Sequence, residues 1–118
     1  MIDIDKLFGL LGQFPEHEEV VIPGYGTAKV KVLTQGERDR FDLSLEADKV
    51  GFRAKLIQLT VIDERGALVF GEADILKLVD LPVYVLEPIV DVALRINRFS
   101  RKDKEELAKN LNGQPVNS

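Results

Sequence analysis

The first apolar pattern along the chain is helical. Apolar residues recur at three- and four-residue spacing and so share one helical face: Ile4, Leu7, Phe8 and Leu11. This spacing predicts a short amphipathic helix over residues 3–12 that stops near Gly12 and Pro15. Because an apolar helical face is normally buried, we expect this face to rest on the main core.

The pattern then changes to alternation, which is typical of strands. Val20 and Ile22 share one face of a short strand, and residues 23–26 (PGYG) supply a turn. Over residues 28–32, alanine and valine alternate with lysine, so one face is apolar and the other polar. The sequence therefore predicts an antiparallel hairpin with one face in water.

A capped helix is predicted directly after the hairpin. Thr34 is followed three residues later by Glu37, the spacing of a capping box. We expect a helix that starts at about Gln35 and fades near Asp48. Phe41 and residues one turn further on form its inward face.

Residues 55–63 fit two kinds of structure. Apolar residues at every second position favour a strand, whereas the four-residue spacing of Phe52 and Leu56 also fits a helix. We favour a strand over at least the second half of this segment. A turn at 63–66 would then return the chain as a second strand over 67–70, making a middle hairpin.

The C-terminal half is predicted to be mostly helical. Acidic residues open a helix at Glu72 and Asp74, and Ser100 caps a last helix that runs to about Leu111. Residues 112–118 are a polar tail that we expect to be flexible. The fold class is thus α+β, with a small antiparallel sheet from two hairpins and a single globular domain over residues 1–111.

The segment 83–96 is the most apolar helix candidate. Its stripe follows i, i+4, i+7 and i+11, at Val85, Ile89, Val92 and Ile96. It is either a central core helix or a helix that binds a partner. Pro88 should kink it near Tyr84, or delay the regular helix until after Glu87.

Composition and charge exclude several classes of protein. The 118 residues contain no cysteine, and the net charge of −4 argues against binding to nucleic acid, which needs a basic surface. The start carries Asp3 and Asp5 rather than a basic region, so no signal peptide is predicted. Apolar stretches are too short to cross a membrane, so we expect a soluble protein.

No residue pattern predicts an enzyme. His17 is the one histidine and lies among glutamates, where an exposed loop residue is the simpler interpretation. The turn at 23–26 lacks the lysine and the serine or threonine of a phosphate-binding loop. We therefore predict no catalytic residue, no cofactor and no metal. An enzyme without a recognisable motif is the weakest of the alternatives.

Charge is distributed unevenly between the two ends. Residues 1–19 are acidic, whereas residues 95–104 are basic. Two ordinary solvated faces would explain this pattern. The alternative is a head-to-tail contact between copies that builds a ring or a spiral, with Arg98 and Arg101 on the basic side.

Segments in a fixed order carry a resemblance to a known family. A strand, a Pro-Gly turn, a second strand and a capped GERDRF helix span residues 19–41. FRAKLIQLTVIDERG follows at 52–66, and LRINRFSRKDKEELAKN ends the pattern at 94–110. In this order they resemble the tail assembly chaperones of long-tailed bacteriophages over about residues 18–112. None of these motifs is catalytic, and the resemblance depends on their order and spacing.

The resemblance implies a binding function in the cytoplasm of the bacterial host. Such chaperones coat the tape-measure protein, recruit the major tail protein and are absent from the mature virion. Many are made in two lengths by ribosomal frameshifting, and the longer form carries the extra domain for the tail-tube subunit. The present chain would be the short form, with Ala108-Lys109-Asn110 as a possible place for slippage.

The candidate partner-binding residues lie on the apolar helix and in the basic region that follows it. They are Tyr84, Val85, Ile89, Arg95, Arg98 and Arg101. Plain core packing of the helix is the alternative. A different class of function also fits: a prophage or bacterial adaptor domain that recognises one folded partner through residues 83–96.

Overall fold

The computed structural model describes residues 1–111, and these have the predicted α+β fold. The strands are β1 (His17–Ile22), β2 (Gly26–Lys31) and β3 (Val61–Ile62). The helices are α1 (Ile4–Phe8), α2 (Gln35–Ala47), α3 (Phe52–Thr60), α4 (Ile75–Val79), α5 (Val83–Ile96) and α6 (Arg101–Leu111), with a 3-10 turn at Glu72–Asp74 before α4. The predicted tail at 112–118 lies outside the described residues, and the single domain stays a prediction.

The N-terminal hairpin is confirmed. β1 and β2 pair antiparallel from His17 opposite Lys31 to Ile22 opposite Gly26. Both turn glycines have positive φ, 86° at Gly24 and 115° at Gly26, a conformation that favours glycine. β3 adds to the other edge of β2, so the sheet order is β1-β2-β3.

The capped helix is confirmed as well. The Thr34 hydroxyl accepts a hydrogen bond from the Glu37 amide at 3.2 Å, and the Glu37 carboxylate accepts one from the Thr34 amide at 2.8 Å. α2 begins at Gln35 and ends at Ala47, as its sequence predicts. Its buried aromatic, Phe41, meets Phe99 edge to face with the ring centroids 6.0 Å apart.

The preferred strand over at least the second half of 55–63 is confirmed only at Val61–Ile62, because α3 continues as a helix to Thr60. Apolar residues at every second position favoured a strand, but α3 is a helix that is buried on most of its surface. Its polar residues therefore also face the core. Gln58 donates to the Phe70 carbonyl at 3.0 Å, and the Thr60 hydroxyl donates to the Leu56 carbonyl at 2.7 Å. These bonds satisfy both polar side chains inside the core.

The middle hairpin is much shorter than its pattern predicts. Asp63 accepts hydrogen bonds from two amides of the turn, and Gly66 has φ of 84°, so the turn itself is confirmed. The return over 67–70 is reduced to one bridge between Ile62 and Leu68. The sheet of the described residues therefore has three strands, and α3 and α5 pack against it.

α5 is the central helix of the core. It packs against β1, β2 and α3, and its buried residues are Leu86, Ile89, Val90 and Ala93. The helix begins at Val83, so the alternative start after Glu87 is wrong. Pro88 has no amide hydrogen to donate to the carbonyl of Tyr84 within the helix, but a kink there stays a prediction.

The N-terminal helix does not rest on the core, which corrects the prediction for residues 3–12. α1 covers only Ile4–Phe8, and all of its residues are exposed. The segment touches the fold only further on, where Phe14 and Pro15 lie against Gly66. A Cβ on that glycine would come within 3.4 Å of Phe14 and 3.3 Å of Pro15. α1 therefore leaves its apolar face in solvent.

Candidate interaction surfaces

The described residues contain no cluster suited to catalysis by a metal. Within residues 1–111, no group of three or more histidine, cysteine, aspartate or glutamate side chains is arranged to hold a metal ion. His17 is exposed, with Nδ1 3.0 Å from the Pro15 carbonyl oxygen. No helix in this part of the chain is long and apolar enough to cross a membrane.

The structure separates the three candidate binding residues of α5. Tyr84 is 75% exposed, Val85 is half-buried against the core, and Ile89 is only 4% exposed. Tyr84 and Ile89 are five residues apart, about 140° around the helix, so they face different directions. Ile89 is therefore a core residue, which corrects its assignment as a contact residue, whereas Tyr84 faces solvent.

The three candidate arginines lie at the other end of α5 and beyond it. Arg95 pairs with Glu18 of β1, and Arg101 pairs with Glu105 at 3.2 Å within α6. Tyr84 and Arg95 are eleven residues apart, about 16 Å along the helix. The candidate residues thus form two separate groups, and the acidic and basic ends of the chain meet within one molecule.

Arg98 has an unusual backbone conformation. Its φ is 56°, and it follows Asn97, the C-cap residue of α5. The Phe99 amide donates to the Leu94 carbonyl at 3.0 Å and the Arg98 amide donates to the Arg95 carbonyl at 3.1 Å, the two bonds of a Schellman motif. Glycine usually occupies this left-handed position. The motif buries Phe99 and leaves the Arg98 side chain in solvent.

An apolar groove lies where α3 begins, α4 ends and α5 begins. Its volume is about 170 Å³, and its apolar lining includes Val50, Phe52, Leu78, Val79, Leu81 and Val83. We call it the α4–α5 groove. Leu81 and Val83 are about half exposed. Leu76 on α4 is 78% exposed, and Tyr84 on α5 is 75% exposed. Pro82 separates the two helices, so helical periodicity alone does not bring these residues together.

A second pocket, of about 410 Å³, lies between α2 and α6. The Arg38 guanidinium lies 3.8 Å from the centre of the Phe99 ring and pairs with Asp42 at 3.4 Å and Asp103 at 3.6 Å. Hydrogen bonds from Ser100, with a smaller effect of Arg38, hold the pKa of the Asp103 carboxyl below its usual range. These charged groups already contact one another, so this pocket is a weaker candidate for a ligand.

The sequence pattern missed a third surface, the N-terminal apolar segment, defined as residues 1–14. Its exposed apolar side chains are Met1, Ile2, Ile4, Leu7, Phe8, Leu10, Leu11 and Phe14. The spacing of these residues identified the helix but not its solvent exposure. Gly9 and Gly12, which follow the short helical part, were the available signal, because glycine disfavours a longer helix.

Comparison with known proteins adds no assignment. A scan against protein-family models found no match, and neither the curated proteins nor the solved structures matched this chain. The geometry of the surfaces and the order of the sequence motifs therefore carry the functional argument.

Proposed function

We propose that the chain is a non-enzymatic chaperone for phage tail assembly. It would bind the tape-measure protein in the host cytoplasm, help to recruit the major tail protein and be absent from the finished virion. The order of motifs over residues 18–112 supports this proposal. The observation that carries it is the α4–α5 groove, an exposed apolar surface of the kind that marks a site of protein binding.

The groove suits an amphipathic helix as its ligand. Such helices insert apolar residues spaced three and four apart into apolar grooves. Leu81 and Val83 would cover part of that apolar stripe, and Tyr84 would place an aromatic ring with a polar hydroxyl at the edge of the contact. Shielding these stripes would keep a long helical tape-measure protein from aggregating before the tail forms. Arg98 and Arg101, which lie elsewhere, would not take part in this contact.

The direct test uses a groove variant and a matched control. Leu81→Asp with Val83→Asp places two carboxylates on the exposed wall of the α4–α5 groove, and Leu43→Asp places one on an exposed part of α2. We expect the groove variant to lose at least about tenfold in affinity for the tape-measure protein, since buried unpaired charge is costly. The control should bind as the natural chain does.

Two results would contradict the proposal. One is equal co-purification of the tape-measure protein with both variants, and the other is tails of normal length and number after deletion of the gene. Expression of the gene with its downstream DNA adds an independent check, since a minor longer product that crosses from Ala108-Lys109-Asn110 into another frame is expected. Capture of one folded partner, with no long coiled-coil protein, would instead favour the adaptor function.

A further inference from the structure

Within residues 1–111, the three-stranded sheet has one covered edge and one open edge. At β3 the Asp63 amide donates to the Ala67 carbonyl at 2.8 Å. The Val69 amide donates to the Val61 carbonyl at 3.0 Å, so the returning chain covers this edge. In the same part of the chain, β1 pairs with β2 alone. An unpaired strand edge offers a row of backbone donors and acceptors to another strand.

The register of the hairpin shows which backbone groups of β1 point away from the sheet. The Val32 amide donates to the Glu16 carbonyl at 2.8 Å, and these residues lie directly opposite each other when the β1–β2 register is continued. Hydrogen-bonded and non-hydrogen-bonded pairs alternate along an antiparallel ladder, so the even-numbered residues of β1 bond to β2. The amides and carbonyls of His17, Glu19 and Val21 therefore point outward, and all three residues are exposed. No turn, loop or side-chain hydrogen bond of the described residues uses these amides.

The apolar inner face of the sheet is also incompletely covered at this edge. Val20 and Ile22 lie on the side of β1 that packs against the core, and both are only half-buried. Val30 on β2 is fully buried, although α5 packs against both strands. A strand placed beside β1 would therefore bury apolar side chains in addition to pairing with the backbone.

The two glutamates of β1 are balanced by positive charge within one copy. Charged side chains at an edge usually discourage pairing with another strand. Here Glu18 pairs with Arg95 of α5. Glu19 lies directly opposite Lys29 in the register of the hairpin. The glutamates therefore repel a second strand less than their number alone would suggest.

We propose that β1 pairs antiparallel with β1 of a second copy across a two-fold axis at Val20, which joins the two sheets into one. This register aligns Glu19 of each copy with Val21 of the other, so about four hydrogen bonds form between the outward backbone groups. An axis at Glu18 or Glu19 would set identical carboxylates face to face, which is destabilising. An axis at Val21 would align Glu19 with Pro23, which has no amide hydrogen.

The contact between the two β1 strands is isologous, because the same strand of each copy takes part, so it closes at two copies. It differs from a head-to-tail contact through the charged ends, which would extend into a ring or a spiral. One strand and its nearest side chains bury less area than the roughly 1,200 Å² of the smallest standard interfaces, so we expect association in the micromolar range. The inference does not rest on the proposed function, because it concerns only the contact of the chain with itself.

The register allows a test by charge at one position of β1. Val21 lies opposite Glu19 of the second copy, so Val21→Lys should add attractive cross-strand pairs and Val21→Glu should add repulsive ones. Val21 is 67% exposed, so both variants should fold, and circular dichroism checks this. Thr27→Lys and Thr27→Glu are the matched controls. Thr27 is exposed and lies opposite Val21 on β2, one strand further from the open edge.

Sedimentation equilibrium of the full-length chain from about 1 to 200 µM brackets micromolar association. We expect the natural chain to form dimers at low salt. Val21→Lys should raise the association constant at least about threefold, and Val21→Glu should lower it at least about threefold. Each Thr27 control changes the net charge by the same amount as its Val21 counterpart and should stay within about twofold of the natural chain.

Hydrogen exchange locates the contact on the strand. Between about 1 and 200 µM, amide protection of Glu19 and Val21 should rise, whereas the Val20 amide, which bonds to β2, should not change. The inference is overturned if protection of the outward amides does not rise, or if the two Val21 variants change association equally. A natural chain that stays monomeric overturns it as well, and leaves the edge to an extended segment of a different protein. None of these readouts involves the tape-measure protein.

Discussion

At the residue scale, Glu37 joins the hairpin to α2. Its carboxylate accepts a hydrogen bond from the Lys31 ammonium at 2.6 Å, in addition to the bond from the Thr34 amide. Burial raises the pKa of the Glu37 carboxyl, but Lys31 and Thr34 together outweigh it and hold the pKa below its usual value. Lys31, on a strand with one polar face, is buried because this carboxylate pairs with it.

The Glu37 pair predicts a specific dependence of stability on pH. Because the folded-state pKa is depressed, the stabilisation is present above the unfolded pKa of about 4.3 and is lost as pH falls through the folded pKa. Glu37→Gln should lower the free energy of unfolding by about 1–3 kcal/mol at pH 7 and by much less near pH 3. Urea unfolding at both pH values measures this, with Glu46→Gln on the exposed face of α2 as control. An equal loss at both pH values would count against the pair.

At the element scale, Asn97 ties the end of α5 to the end of β2. Its side-chain oxygen accepts from the Leu33 amide at 2.7 Å, and its nitrogen donates to the carbonyls of Ala93 at 2.9 Å and Lys31 at 3.3 Å. These partners join parts of the chain more than 60 residues apart. One amide side chain thus closes the helix and also satisfies the backbone that leaves the sheet.

Replacing the Asn97 side chain should destabilise the structure locally, at the Leu33 amide. In Asn97→Ala the Leu33 amide loses its acceptor in a partly buried position, which should lower the free energy of unfolding by about 1–3 kcal/mol. Hydrogen exchange gives the local measurement, because protection of the Leu33 amide should fall more than that of the Val30 amide within the sheet. Unchanged protection at Leu33 would show that water or another group replaces the side chain.

The same elements show which kinds of structure could be predicted. The hairpin and the cap at Thr34 were predicted because their partners lie within a few residues and the chemistry is local. α3 was kept only as the alternative to a strand, because a helix buried on most sides has no polar face to reveal its period. The bonds of Asn97 and the exposure of α1 depend on distant parts of the chain. Of the candidate site, Tyr84 was placed on a surface, but the groove beside it was not foreseen.

At the scale of the whole molecule, a contact between copies through the charged ends of the chain would respond to salt. Contact through the acidic residues 1–19 and the basic residues 95–104 would weaken as salt screens exposed charges. The pairing of Glu18 with Arg95 already uses part of this charge within one copy.

A contact between the charged ends predicts an association constant that falls as salt is added. Between about 0.05 and 0.5 M NaCl, where the Debye length falls from about 14 to 4 Å, we expect a fall of at least about tenfold. Arg98→Glu with Arg101→Glu should weaken association at low salt by at least about tenfold, because it reverses two charges of the basic end. Sedimentation equilibrium measures both effects. Association of the arginine variant that equals that of the natural chain at low salt would contradict a contact through the charged ends.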